Sequence, residues 1–202
     1  MLVWWTRLFL SHHLTWFINS LAHCWGARTF SKEQSAVDNY ILAFLTVGEG
    51  YHNYHHTFAS DYRNGVRWFH FDPVKWTVWT LSRLGLARDL KRVDAVKIQE
   101  RLLKEDRKLL VGTLESRADP AIPELGQRIE TLAARIQEKL ARLGELRQRL
   151  TTLGRERASG QALRGRMRDV RRELRSLRQS LRADWRAWHR LCALVLEAPA
   201  YP

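Results

Sequence analysis

Residues 52–56 read His-Asn-Tyr-His-His and hold three of the chain's eight histidines. Each residue of a helix turns the chain by about 100°, so positions i, i+3 and i+4 share one side. Neutral imidazole is a good ligand for iron, zinc and copper. The spacing therefore predicts a helix that presents His52, His55 and His56 to one metal centre. Upstream, Asn19 and His23 stand four residues apart and share a helix face. His23 offers a fourth imidazole, and the Asn19 amide is suited to hydrogen-bond a metal-bound water. Four imidazoles on one ion would close it to substrate; alternatively they form part of a larger, shared site. His12 and His13 are adjacent and diverge, so they are read as interfacial or structural, and His70 and His189, with no partner at useful spacing, as structural.

These residues must be positioned by an uneven chain of 202 residues and net charge +13. Residues 1–92 hold ten Lys/Arg against six Asp/Glu, and residues 93–202 hold 24 against 15. Seven of the nine tryptophans precede residue 80. The two cysteines, Cys24 and Cys192, lie far apart with no CxxC, which excludes a cysteine zinc module and a disulfide scaffold and fits a reducing compartment.

The opening MLVWWTRLFLSHHLTWFINSLAHCWG lacks the plan of a signal peptide, and Arg7, His12 and His13 interrupt it as a membrane span. It is read as one helix over 1–25, the end of a membrane helix whose tryptophans suit an interfacial belt. A polar loop follows over 27–39, then a helix over 38–58 despite Gly48 and Gly50. Pro73 opens a further helix that Gly85 ends. Pro120 and Pro123 mark a break. Beyond them Ile129, Leu132, Ile136, Leu143, Leu146, Leu150 and Leu153 follow a/d spacing, with Lys139 as the one polar entry. After residues 154–160 a second run passes through Val170, Leu174, Leu181 and Trp188, with Asp184 as its polar entry. Two such runs predict an antiparallel helical hairpin or an intermolecular coiled coil. The arginines of the second run suit anionic lipid or nucleic acid. Interspersed Glu130, Glu138, Glu145, Glu156 and Glu173 favour a solvated coiled-coil face, and no nucleic acid partner is expected.

NSLAHCWG (19–26), GEGYHNYHHTFASDYRNG (48–65) and FDPVKW (71–76), in this order and with these aromatic flanks, resemble the C-terminal half of membrane acyl-CoA desaturases of the delta-9 type. The resemblance runs from about residue 1 to residue 93 and leaves out the tail. It implies an all-α fold, with the end of the last membrane helix carrying NSxxH (1–26) and a cytosolic cap carrying HNYHH (27–93); the chain's own pattern adds a helical linker (94–122) and a coiled-coil tail (123–197). It implies two irons, with His23, His52, His55 and His56 among their ligands, Asn19 on an iron-bound water, and no catalytic residue beyond the metal site. It implies O2-dependent insertion of a cis double bond into a long-chain acyl-CoA, an electron-donor redox protein and a membrane location with the cap, and so the tail that follows it, on the cytosolic side; the heptad runs add helical self-association through the tail as an expectation. The family's first two His boxes have no counterpart here, so the chain is expected to be a fragment, a late start or a decayed gene, inactive alone. A non-enzymatic, membrane-proximal coiled-coil interaction protein is the contrasting expectation.

Overall fold

The computed structural model describes residues 1–116, 122–156 and 161–197, and among them every regular element is helical. The chain divides into two units, Met1–Asp94 and Ala95–Pro202.

The first unit begins with α1 (Leu2–Cys24). Ala22 is its one buried residue, while Trp4, Trp5, Phe9, Leu10 and Trp16 are exposed. Its polar side chains bond back to the helix: Thr6, Ser11, Thr15 and Ser20 donate to carbonyls one turn earlier, and the Nδ1 atoms of His12 and His13 lie 2.9 and 2.8 Å from the carbonyls of Leu8 and Phe9. No described helix is long and apolar enough to cross a membrane. In α1, Arg7, the histidines and the hydroxyl residues dilute the apolar run.

The single helix expected over 38–58 is instead two, α2 (Tyr40–Leu45) and α3 (His52–Thr57). Asn39 caps α2, its Oδ1 accepting from the amides of Ile41 and Leu42. Val47 at φ 58° and Gly48 at φ 106° then turn the chain out of helical conformation. Gly50 comes back against the start of α2, where a Cβ would stand 2.1 Å from the Ala43 amide nitrogen, and its carbonyl accepts from the Asn39 amide. Only glycine permits that approach. Isolated bridges tie Ala27 to Asp38 and Asp38 to Tyr51, so the loop expected over 27–39 folds back under α3. The last helix of the unit, α4 (Pro73–Arg83), has Pro73 in its first turn and Asp72 as its N-cap, as Pro73 predicts. Gly85, at φ 77°, follows its end.

The second unit holds α5 (Ala95–Glu115), α6 (Ile122–Arg155) and α7 (Gln161–Glu197). Ile129, Ile136, Leu143, Leu146 and Leu153 of α6 and Val170, Leu174, Leu181, Trp188 and Leu191 of α7 are buried in one core, as an antiparallel hairpin requires. Arg142 pairs with Glu173 and Arg166 with Glu156, which fixes the antiparallel sense. Residues 94–122, expected as a linker, contain α5, whose Val96, Leu103, Leu110 and Leu114 enter the same core. Trp188 is fully buried, and its Nε1 donates to Asp106 of α5 at 3.1 Å. Pro123 sits in the first turn of α6, where its missing N–H costs nothing. Pro120 and residues 157–160 lie outside the described residues.

Candidate metal centre

His23 lies in the last turn of α1, His52 opens α3, and His56 follows one turn later. One ring nitrogen from each lies within 4.8 Å of the others, the one such group of metal-capable side chains among the described residues. The Nε2 atoms of His52 and His56 are 3.1 Å apart. Two imidazole nitrogens bound to one ion at about 2.1 Å would stand roughly 3.0–3.4 Å apart, so this pair fits a shared ion. His23 closes the third side, its ring centroid 5.0 Å from that of His52 and 6.1 Å from that of His56.

His55 lies outside the group. Its ring is about as near as that of His23, 6.2 Å from His52 and 5.8 Å from His56, but it does not bring a nitrogen to within 4.8 Å of all three. The helical wheel explains this: from His52, position i+4 swings about 40° one way and i+3 about 60° the other, so adjacent His55 and His56 diverge by about 100°. With α1 approaching on the His56 side, His55 is left on the far flank. Asn19 is exposed on α1, one turn before His23. His12 and His13 bond within α1, His70 stacks on Tyr51 at 4.5 Å, and His189 stacks on Trp185 in the second unit.

The cluster is prepared as a neutral donor set. Burial, reinforced by His56, His23 and His55, lowers the His52 pKa to about 4. Burial, with His55 and His23, also lowers that of His56. Both are therefore unprotonated at neutral pH, the form that ligates. The Nδ1 of His23 lies 2.8 Å from the Ser35 hydroxyl, a contact that fixes the ring's orientation and leaves Nε2 for an ion. The buried Nδ1 of His52 has no protein partner.

The residues between the histidines build the frame. Asn53 is fully buried, and sequence reasoning passed over it. Its Oδ1 accepts from the amides of Phe30 and Ser31 at 2.7 and 3.1 Å, and its Nδ2 donates to the carbonyls of Ser31 and Ala36 at 2.8 and 2.9 Å. This one amide pins the loop that carries Ser35 to the helix that carries His52 and His56. The Tyr54 amide donates to Asp38, and its hydroxyl donates to Asp61 at 2.8 Å. Asp61 pairs with Arg63 at 2.6 Å and accepts from the Val93 amide at 2.9 Å. Burial pushes the Asp61 pKa up, but the bonds from Arg63, Tyr54 and Val93 outweigh it and hold it below the usual carboxylate range. Asp72 is fully buried and accepts from the amides of Asn64, Gly65 and Lys75. An Asn between metal-spaced histidines and an Asp before Pro are the only sequence signals that point to these two.

No protein-family model matches the chain. It is similar to acyl-CoA desaturase 1 of Saccharomyces cerevisiae, 43% identical over 102 residues, which is 50% of this chain and 20% of the yeast protein. It is similar to stearoyl-CoA desaturase 5 of Homo sapiens, 39% identical over 95 residues, or 47% of this chain and 29% of the human protein. It is also similar to the sn-2 palmitoyl-lipid 9-desaturase of a Nostoc species, 40% identical over 82 residues, or 41% of this chain and 29% of that protein. The matches span less than a third of these relatives' lengths. About half of this chain is thus related in sequence to the acyl-CoA desaturases.

Proposed function

We propose that the first unit is the C-terminal part of an O2-dependent di-iron acyl desaturase of the delta-9 type. The observation that carries this reading is the convergence of His23, from α1, on His52 and His56, from α3, with neutral nitrogens at ligand spacing. In this reading His23, His52 and His56 hold one iron, His55 faces the second, and Asn19 steadies an iron-bound water. Bound iron would supply the oxidation, with O2 and two outside electrons, that removes two hydrogens from neighbouring methylenes of a saturated acyl-CoA. The protein's part is positional. Ser35 sets the His23 ring, Asn53 locks the loop to α3, and burial keeps protons off His52. The exposed tryptophans and Phe9 of α1 suit contact with lipid, which supports a unit held at a membrane, with the cap and tail on the cytosolic side in this reading.

Four imidazoles are too few for two irons that must also leave positions open to O2. The 202-residue chain alone is therefore expected to bind metal but not to desaturate. The test is to load the purified chain anaerobically with Fe(II), measure bound iron, then add acyl-CoA, O2 and an electron donor. Iron that is bound in the wild type and lost in His52→Ala, without monounsaturated product, supports both statements. Absence of specific iron binding overturns the desaturase reading, and appreciable product overturns the expectation of inactivity.

A further inference from the structure

α7 carries a ridge of six arginines, Arg168, Arg171, Arg175, Arg178, Arg182 and Arg186. Their steps of three, four, three, four and four residues confine them to an arc of about 80° along a line of about 27 Å. All six are exposed. None makes an ion pair or side-chain hydrogen bond among the described residues, although arginines elsewhere in the unit do, such as Arg142 with Glu173 and Arg166 with Glu156. Asp169, Glu173 and Asp184 of α7 lie on another side of the helix. Glu173 is taken by Arg142, and the buried Asp184 by Lys139 and Arg135. Interspersed carboxylates thus neutralise the hairpin's seam and leave the ridge uncompensated, a distribution that net charge conceals.

We propose that this ridge docks on an anionic phospholipid surface. A straight, uninterrupted row of always-charged guanidiniums matches a continuous sheet of phosphate and carboxylate headgroups. From Arg168 to Arg182 no aromatic side chain is interleaved with the row on which bases could stack, which disfavours single-stranded nucleic acid. Covalent attachment to a first unit held at a membrane keeps the ridge at high effective concentration beside lipid; this step rests on the membrane reading above. Once docked, the ridge converts a marginal interfacial helix into a two-point attachment.

The test uses the full chain in vesicle co-flotation, with vesicles of phosphatidylcholine alone and of phosphatidylcholine mixed with phosphatidylserine. Binding to the neutral vesicles reports α1, and the increment on the anionic ones reports the ridge, so the two readings fail separately. The variant R171Q/R175Q/R182Q should lose most of the increment, at least about tenfold, since each arginine near the surface contributes a factor of up to about five. R128Q/R149Q/R155Q, an equal loss of charge off the ridge, should keep it. In the wild type, raising the ionic strength from about 0.1 M to about 1 M shortens the screening length from about 10 to 3 Å and should abolish the increment without any mutation. No increment in the wild type, equal losses in both variants, or ridge-dependent binding to a DNA duplex without ridge-dependent vesicle binding would each overturn the proposal.

Discussion

Lys139 and Asp184, the two polar residues that interrupt the hydrophobic repeats of α6 and α7, meet across the hairpin with Nζ and Oδ2 2.6 Å apart. Arg135 adds a second bond to the same carboxylate at 3.0 Å, and Ser180 accepts from Lys139. Asp184 is buried, but Lys139 is only half-buried and Arg135 is exposed, so water takes over part of what the carboxylate gives them. Asp184→Ala should destabilise the second unit by about 1 kcal/mol, whereas the double variant Lys139→Leu, Asp184→Leu should return to wild-type stability or exceed it. Urea denaturation of the three proteins measures both. A double variant as unstable as the single one would show that the pair contributes more than mutual compensation.

Asn53→Ala should cost the first unit about 3 kcal/mol or more, because it leaves two amides and two carbonyls of the 30–36 loop buried without partners. Asn53→Asp should be no milder, since it faces the carbonyls of Ser31 and Ala36 with an acceptor. Thermal melts of the metal-free proteins read the loss. Retention of wild-type stability by Asn53→Ala would mean that the loop is held by other contacts.

His52 and Asp38 should pull the metal-free protein's acid stability in opposite directions. His52 titrates near 4 in the fold against about 6.5 unfolded, so the unfolded chain takes up more protons and stability is lost as pH falls from 6.5 towards 4. His56, also lowered, acts in the same sense. Burial raises Asp38 from 3.8 to about 6, so the folded chain holds the extra proton and stability is gained as pH falls from 6 towards 3.8. Asp38→Asn should therefore steepen the loss between pH 6.5 and 4, and His52→Gln should make it shallower. Denaturant midpoints across that range decide the matter.

Metal affinity should separate the four histidines. Co(II) titration followed by visible absorption should show the largest losses, tenfold or more, for His23→Ala, His52→Ala and His56→Ala. Ser35→Ala, which releases the ring of His23, should cost about tenfold. His55→Ala should leave this first site nearly intact. Equal losses for His55 and His56 would contradict the divergence of their rings.

Short-range pattern made much of this legible from sequence. The His-x-x-His-His spacing led to α3, Pro73 to the start of α4, and the leucine repeats to the α6–α7 hairpin. What escaped depends on distant approaches. Nothing near Gly50 announces that it must lie against Ala43, the approach that splits the expected helix. The repeat was read through Lys139, yet Leu140 is the residue with no exposure, because Lys139 is drawn aside to Asp184. Face sharing on a wheel placed His55 with its neighbours, and only the direction from which α1 arrives excludes it. The role of Asn53 follows from a loop more than 15 residues upstream, beyond the reach of any local pattern.

Asp61 has been described as a buried acceptor, but its position along the chain gives it a mechanical meaning. It grips the helix of the histidines through the Tyr54 hydroxyl and the end of the first unit through the Val93 amide. A change that loosens the knot of Asp61, Arg63 and Tyr54 therefore frees the helix of the histidines and the end of the first unit together.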